Sequence, residues 1–307
     1  MSSDRARRAA AAGLTLGALA FAPDAGAQAC CAGSSAVTPA RLGLHEDALV
    51  GATLRVAGVV GNYALDGTYS AQPPHTSELD LEQDLVAAAR VTKRGQLALL
   101  VPFVETVRSS ATTSGSGGGL GDINLGARYD LVLAGESRYL PGIALLAGLT
   151  LPTGRPVEAA TQPLATDATG IGAFQGNLGL SVEQVWGPWL ASLSGLVAQR
   201  APRSVQGVDE TLGTQLTGVG AVAYTFRSAA TAGVVVSYAA EGDARINGAA
   251  DQESHKRALT LSAVGVFSFT DSLRLQGSLF LTPPVTSLGA NQPATCGLTL
   301  TALLGLL

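Results

Sequence analysis

Hydrophobic and polar positions alternate with period two along most of the chain beyond residue 47. The clearest case is Asp122 to Leu133. Ile123, Leu125, Ala127, Tyr129, Leu131 and Leu133 fall on one face, and Asp122, Asn124, Arg128 and Asp130 on the other. A helix would scatter those charges among the leucines, so the segment is predicted to be a strand. Ser77 to Val91 repeats the pattern, with Leu79, Leu81, Leu85 and Ala87 between Glu78, Asp80, Glu82, Asp84 and Arg90. Phe174 to Trp186 does so again, with Leu178, Leu180 and Val182 between Gln175, Asn177, Ser181 and Glu183. Weaker alternation predicts strands at 48–61, 95–108, 139–152, 189–200, 210–226, 229–241, 256–269, 272–282 and 294–306. The total is about twelve strands, each near the ten or so residues that cross a bilayer with tilt.

The connections carry a second pattern. Every other one is tight, near Lys93-Arg94-Gly95, Gly135-Glu136-Ser137, Gly187-Pro188, Arg227-Ser228 and Thr270-Asp271. Those between are longer, at 62–75, 109–119, 153–172, 201–209, 242–255 and 283–293. Short turns at one rim and long loops at the other define an outer-membrane barrel, with the short rim periplasmic. The expected fold is therefore all-β, a transmembrane antiparallel up-and-down β-barrel of about twelve strands in the cell outer membrane. Tyr129, Tyr139, Trp186, Trp189, Tyr224, Phe226, Phe267 and Phe269 cluster near the short turns, as an interfacial aromatic girdle would. A soluble β-sandwich gives no reason for loop lengths to alternate. No 20–50-residue repeat suggests a propeller or solenoid.

Composition agrees with this reading. The chain is 47% apolar and 14% charged, yet has no long unbroken apolar run that would form a membrane helix. Residues 1–27 read as a signal peptide: Arg5, Arg7 and Arg8, an apolar stretch from Ala9 to Ala22, then Ala25-Gly26-Ala27 as a cleavage site. The remaining domains are a periplasmic N-terminal segment or plug at 28–47 and the barrel at 48–307. The net charge of -4 argues against nucleic acid as a partner. Cys30, Cys31 and Cys296 leave both lipidation at Cys30 and disulfide pairing open. The chain ends on Leu307 rather than on the terminal aromatic common in the last strand of such barrels.

Two segments, Gly119-Leu-Gly-Asp-Ile-Asn-Leu-Gly-Ala-Arg-Tyr129 and Gly148-Leu-Thr-Leu-Pro-Thr-Gly154, resemble the outer-membrane channel family associated with the meta-pathway of phenol degradation. The resemblance implies a transporter-like barrel passing small solutes, including aromatic or apolar compounds.

If the leucine-bearing faces meet lipid, the opposite faces line a lumen. The candidate pore-lining residues are Arg55, Glu78, Asp80, Glu82, Asp84, Arg90, Asp122, Asn124, Arg128, Asp130, Gln175, Asn177, Glu183, Arg274 and Gln276. The bland reading is a salt-bridged interior that shields charge from lipid. The sharper one is a constriction whose acidic row favours cations or donor-bearing solutes. Gly115 to Gly121 reads as a flexible returning loop, not a phosphate cradle, because a strand follows it. Pro152-Thr153-Gly154 opens the longest loop, which either folds inward and narrows the pore or stands in solvent.

The expected function is passive passage of small solutes, with no cofactor and no catalytic or metal-binding residues. The expected partners are outer-membrane lipid, a small-molecule solute and the barrel-assembly machinery. One alternative is a closed barrel with a structural or surface-interaction role. A third reading, an outer-membrane lipid hydrolase built on His75 and Ser77, lacks a residue to orient the histidine and an oxyanion hole.

Overall fold

A computed structural model describes residues 40–43, 45–136, 139–205, 207–227 and 230–306. The signal-peptide segment, Cys30 and Cys31 lie outside the described residues. Twelve long antiparallel strands close into a barrel. They are β1 (Ala48–Tyr63), β2 (Ser77–Thr92), β3 (Gly95–Ser109), β4 (Ile123–Val132), β5 (Gly142–Leu151) and β6 (Gln175–Trp186). The other half comprises β7 (Trp189–Arg200), β8 (Gln215–Thr225), β9 (Ala230–Glu241), β10 (Lys256–Ser268), β11 (Leu273–Leu281) and β12 (Gln292–Leu306). Each strand pairs with its neighbours in sequence, and β12 returns to β1 in a register running from Ala48 opposite Leu306 to Tyr63 opposite Gln292. Closure leaves no free edge, which is what lipid demands of a sheet. No helix among the described residues is long and apolar enough to cross a membrane.

The alternation decides which way each side chain points. Leu79, Leu85, Leu97, Leu125, Leu145, Leu178, Leu193, Val234, Leu279 and Leu300 are exposed on the outer surface. Exposed leucines in such numbers would be an aggregation hazard in water but belong against hydrocarbon. The aromatics near the short turns are mostly exposed too, and Trp189, Tyr224 and Phe226 meet edge to face in sequence. Phe267 and Phe269 form a similar pair.

Two boundaries differ from the periodicity. The strand predicted from residue 210 starts at Gln215, because Val208–Thr211 instead joins a small four-stranded sheet made by loops 201–214 and 242–255. The glycine-rich segment read as a flexible loop is also a strand: Ser114–Leu120 pairs with the upper half of β3, from Phe103 opposite Leu120 to Ser109 opposite Ser114. Its backbone supplies ladder bonds that do not depend on side chains, so composition alone hides it.

Candidate functional site: the lumen and its two mouths

The inner wall is uneven around its circumference. On β7 to β10, Leu190, Val219, Ala221, Ala223, Val235, Val264 and Val266 form a buried apolar patch. Charges line the rest of the wall, and on this side they are confined to the strand ends, where Arg200 of β7 pairs with Glu241 of β9 at 2.6 Å. Arg128 on β4 is 5% exposed and reaches Asp130 at 2.9 Å and Glu183 at 3.2 Å. Charges buried this deeply need partners to offset their lost hydration, and the register of β4, β5 and β6 supplies them.

At the short-turn, periplasmic mouth, residues 40–43 and 45–47 pack against the inner wall just ahead of β1. Ala40 and Leu42 pack with Leu49, Val86, Ala88, Ala98 and Leu303. Gln96 accepts from the Leu42 N–H at 3.2 Å and donates to the Ala40 carbonyl at 3.1 Å. Arg41 crosses to β6 and forks onto both carboxylate oxygens of Glu183, each at 2.7 Å. Glu46 meets Arg274 at 2.8 Å, while Arg90 donates to the carbonyls of Glu46 at 3.0 Å and Gly43 at 2.6 Å. One short segment thus ties together β2, β3, β6 and β11.

At the opposite mouth, the loop between β5 and β6 lies over the Ser114–Leu120 strand. Gly115, Gly117 and Gly119 share the inward parity of Arg108, Thr106 and Val104. A Cβ at Gly117 would come within 2.9 Å of Thr166, so the bare backbone is what admits the loop. Arg108 donates to the carbonyls of Leu164 at 2.8 Å and Ala165 at 3.3 Å, and pairs with Glu78 at 2.8 Å. Asp122 closes the loop's neck by accepting the N–H of Gly154 at 2.9 Å and of Ile171 at 2.6 Å. Of the two dispositions open for this loop, the structure therefore has it folded inward.

Within the loop, Asp167 accepts the N–H groups of Thr161 and Gln162 at 3.0–3.1 Å and pairs with Arg155. Burial pushes its carboxyl up, but these donors outweigh burial and hold it well below the usual carboxylate range.

Between the two mouths lies a cavity of about 380 Å³. Of the fifteen candidate lumen residues, Arg55, Glu82, Asp84 and Gln276 meet there. Arg55 pairs with Glu82 at 3.3 Å, and its guanidinium lies 4.7 Å from the Phe280 ring centre. Asp84 is 9% exposed, and its Oδ1 has no hydrogen-bond partner among the described residues.

The remaining candidates sit elsewhere. Asp80 accepts from Thr106 at 2.8 Å. Asn124 accepts from Thr150 at 2.6 Å. Gln175 accepts from Arg200 at 2.8 Å and donates to Asn177 at 3.0 Å. Arg90, Glu183 and Arg274 serve the periplasmic mouth, and Glu78 and Asp122 the outer one. His75 is exposed in a loop, with a φ of 62°. Cys296 is bonded to no other cysteine among the described residues.

Sequence reasoning missed Arg41, Glu46, Gln96, Arg108 and the hydroxyls of the cavity wall. Arg108 was legible, since it alternates with Leu97, Leu99 and Val107 on its strand. Serines and threonines such as Ser262, Thr299 and Thr301 contrast too weakly with leucine to mark a face.

A closed twelve-stranded barrel with a lipid-facing belt and a charged interior defines a transmembrane outer-membrane protein. The chain belongs to the family described as "Putative MetA-pathway of phenol degradation", whose model matches residues 62–287. Among solved structures it is similar to the COG4313 outer membrane channel from Pseudomonas putida F1. The TM-score there is 0.70 at 17% identity, covering 87% of this chain and 100% of that one. The CymD monoaromatic hydrocarbon channel aligns with a TM-score of 0.45 at 10% identity, over 92% of this chain and 94% of that one. The translocator domain of the autotransporter NalP from Neisseria meningitidis aligns at 0.46 and 11%, over 99% and 98%. No curated protein matches the chain.

Proposed function

We propose that this protein is a passive outer-membrane channel for small solutes, non-catalytic and free of cofactor. The two mouths are partly closed at rest, by residues 40–43 and 45–47 below and loop 152–174 above. The observation that carries this reading is the cavity of about 380 Å³ lined by inward side chains of the barrel strands. A barrel built only as a scaffold has no need of a chamber lined by charged and hydroxyl side chains.

The fifteen candidate residues divide by role in this reading. Arg55, Glu82, Asp84 and Gln276 line the chamber, and the others hold the mouths or stiffen the wall. The apolar patch on β7 to β10 suits solutes with an aromatic or aliphatic body, in line with the family's description. Lipid covers the outer leucines, and the assembly machinery is expected to engage β12. A second reading, a closed barrel with a structural or surface role, is favoured by the filling of both mouths and by the small outer sheet of loops 201–214 and 242–255.

The test compares the refolded mature chain with a variant lacking residues 28–47. Folding is verified by heat-modifiable gel migration and conductance is recorded in planar bilayers. Stepwise currents that grow several-fold on the deletion are expected. A folded deletion variant that stays silent would sink the channel and leave the closed barrel.

A further inference from the structure

The chamber holds an unsatisfied carboxyl group. Its lining contains three charged side chains, Arg55, Glu82 and Asp84. Arg55 and Glu82 neutralise each other at 3.3 Å, and Arg55 is further occupied by the Phe280 face at 4.7 Å. Asp84 has neither a cation within ion-pair distance nor a hydrogen bond to Oδ1 among the described residues, although it is 9% exposed. Its ladder neighbours explain why. Thr53, opposite it on β1, turns its hydroxyl to Thr301 at 3.0 Å, and Pro102, opposite it on β3, has no side-chain donor. A buried carboxylate left this way is costly, and a solute that brings a positive donor recovers that cost on binding.

The rest of the wall adds a shape. Ser237, Thr260, Ser262, Ser278 and Thr299 offer hydroxyls on the side away from β2, while Val264 and Phe280 supply apolar surface. A volume of about 380 Å³ falls in the range of small-molecule sites.

From this we infer that the chamber is a binding site for a small organic cation, a protonated amine on a compact apolar body, with Asp84 as the residue that determines specificity. The inference deepens the channel reading and rests on it only for the route of access. Arg55 and Glu82 take a positioning role. By holding each other they keep the Arg55 guanidinium from satisfying Asp84, which leaves the carboxylate free for the solute.

The experiment uses three probes that share one ring and differ only in the head group: benzylamine, benzyl alcohol and benzoate. Each is titrated calorimetrically at pH 7 into the refolded full chain in detergent, and into Asp84→Asn. Benzylamine is expected to bind at least tenfold more tightly than benzyl alcohol, with benzoate weakest, and Asp84→Asn should erase the preference. Ser262→Leu, which fills the chamber from the wall opposite β2, should weaken all three probes together.

Equal affinities for the three head groups in the wild-type chain would overturn the inference, whether or not Asp84→Asn folds. So would a preference for benzylamine that survives in a folded Asp84→Asn. Bilayer recordings separate this result from the channel reading. Binding without currents retains the site and removes the channel, and currents without selective binding do the reverse.

Discussion

At the periplasmic mouth the closing segment is held by side chains. Arg41 reaches Glu183 and Glu46 reaches Arg274, with Ala40 and Leu42 packed between them. At the outer mouth the closing loop is held mostly through its backbone. Asp122 takes two of its N–H groups, Arg108 takes two of its carbonyls, and glycines at 115 and 117 let it lie flat. The lower closure spreads over several strands and depends on buried ion pairs, so one substitution there should disturb the whole barrel. The upper closure is clasped at its neck, so damage to it should remain local.

The sharpest way to break this contrast is Glu183→Ala. It removes the carboxylate onto which Arg41 forks and deprives Arg128 of one of its two acidic partners. Removing one member of a buried pair costs about 3–5 kcal/mol, to be read from denaturant unfolding of the refolded barrel. A loss below about 1 kcal/mol would mean that the lower closure does not depend on its ion pairs.

Asp122→Ala should have a smaller and more confined effect. A hydrogen bond to a charged group contributes about 1.5–3 kcal/mol, and two are lost at the loop's neck. Limited proteolysis within residues 152–174 should accelerate at least tenfold while the thermal midpoint of the barrel barely moves. A matching fall in the midpoint would erase the distinction between the mouths.

The smallest effect in the working range concerns acid. Asp167 is held below the usual carboxylate range, so its folded-state pKa lies under that of the unfolded chain. Its contribution to the loop is fully present above about pH 4, the ordinary value for aspartate. It is lost as pH falls through the lower folded value. Proteolysis of the loop should therefore be flat from pH 7 to pH 5, and the structured state should weaken only in stronger acid. Asp167→Asn should remove that acid dependence. Loosening between pH 7 and pH 5 would assign the control to another group.

The barrel itself was legible from residue order, because lipid outside and polar groups inside impose period two on every strand. Leu79, Leu81 and Leu85 had to fall opposite Glu78, Asp80 and Asp84. Loop-length alternation followed from the same constraint, since only one rim faces the exterior. Ser114–Leu120 escaped because glycine leaves no side chain to alternate, although its backbone pairs normally with β3.

Parity alone could place a charge on the inner wall, but it could not say what that charge would meet. Asp122 clasps a loop, Glu183 anchors a segment far away in sequence, and Asp84 faces a chamber with no partner for its Oδ1 among the described residues, although all three are acids on inward positions. Those fates depend on the curvature and register that bring β6 across from Arg41 and put Pro102 beside Asp84. The sequence by itself determined the barrel and its polar interior, because those follow from local alternation against lipid. Tertiary structure alone decided which interior charges are paired, since partners from distant strands meet only once the sheet has closed.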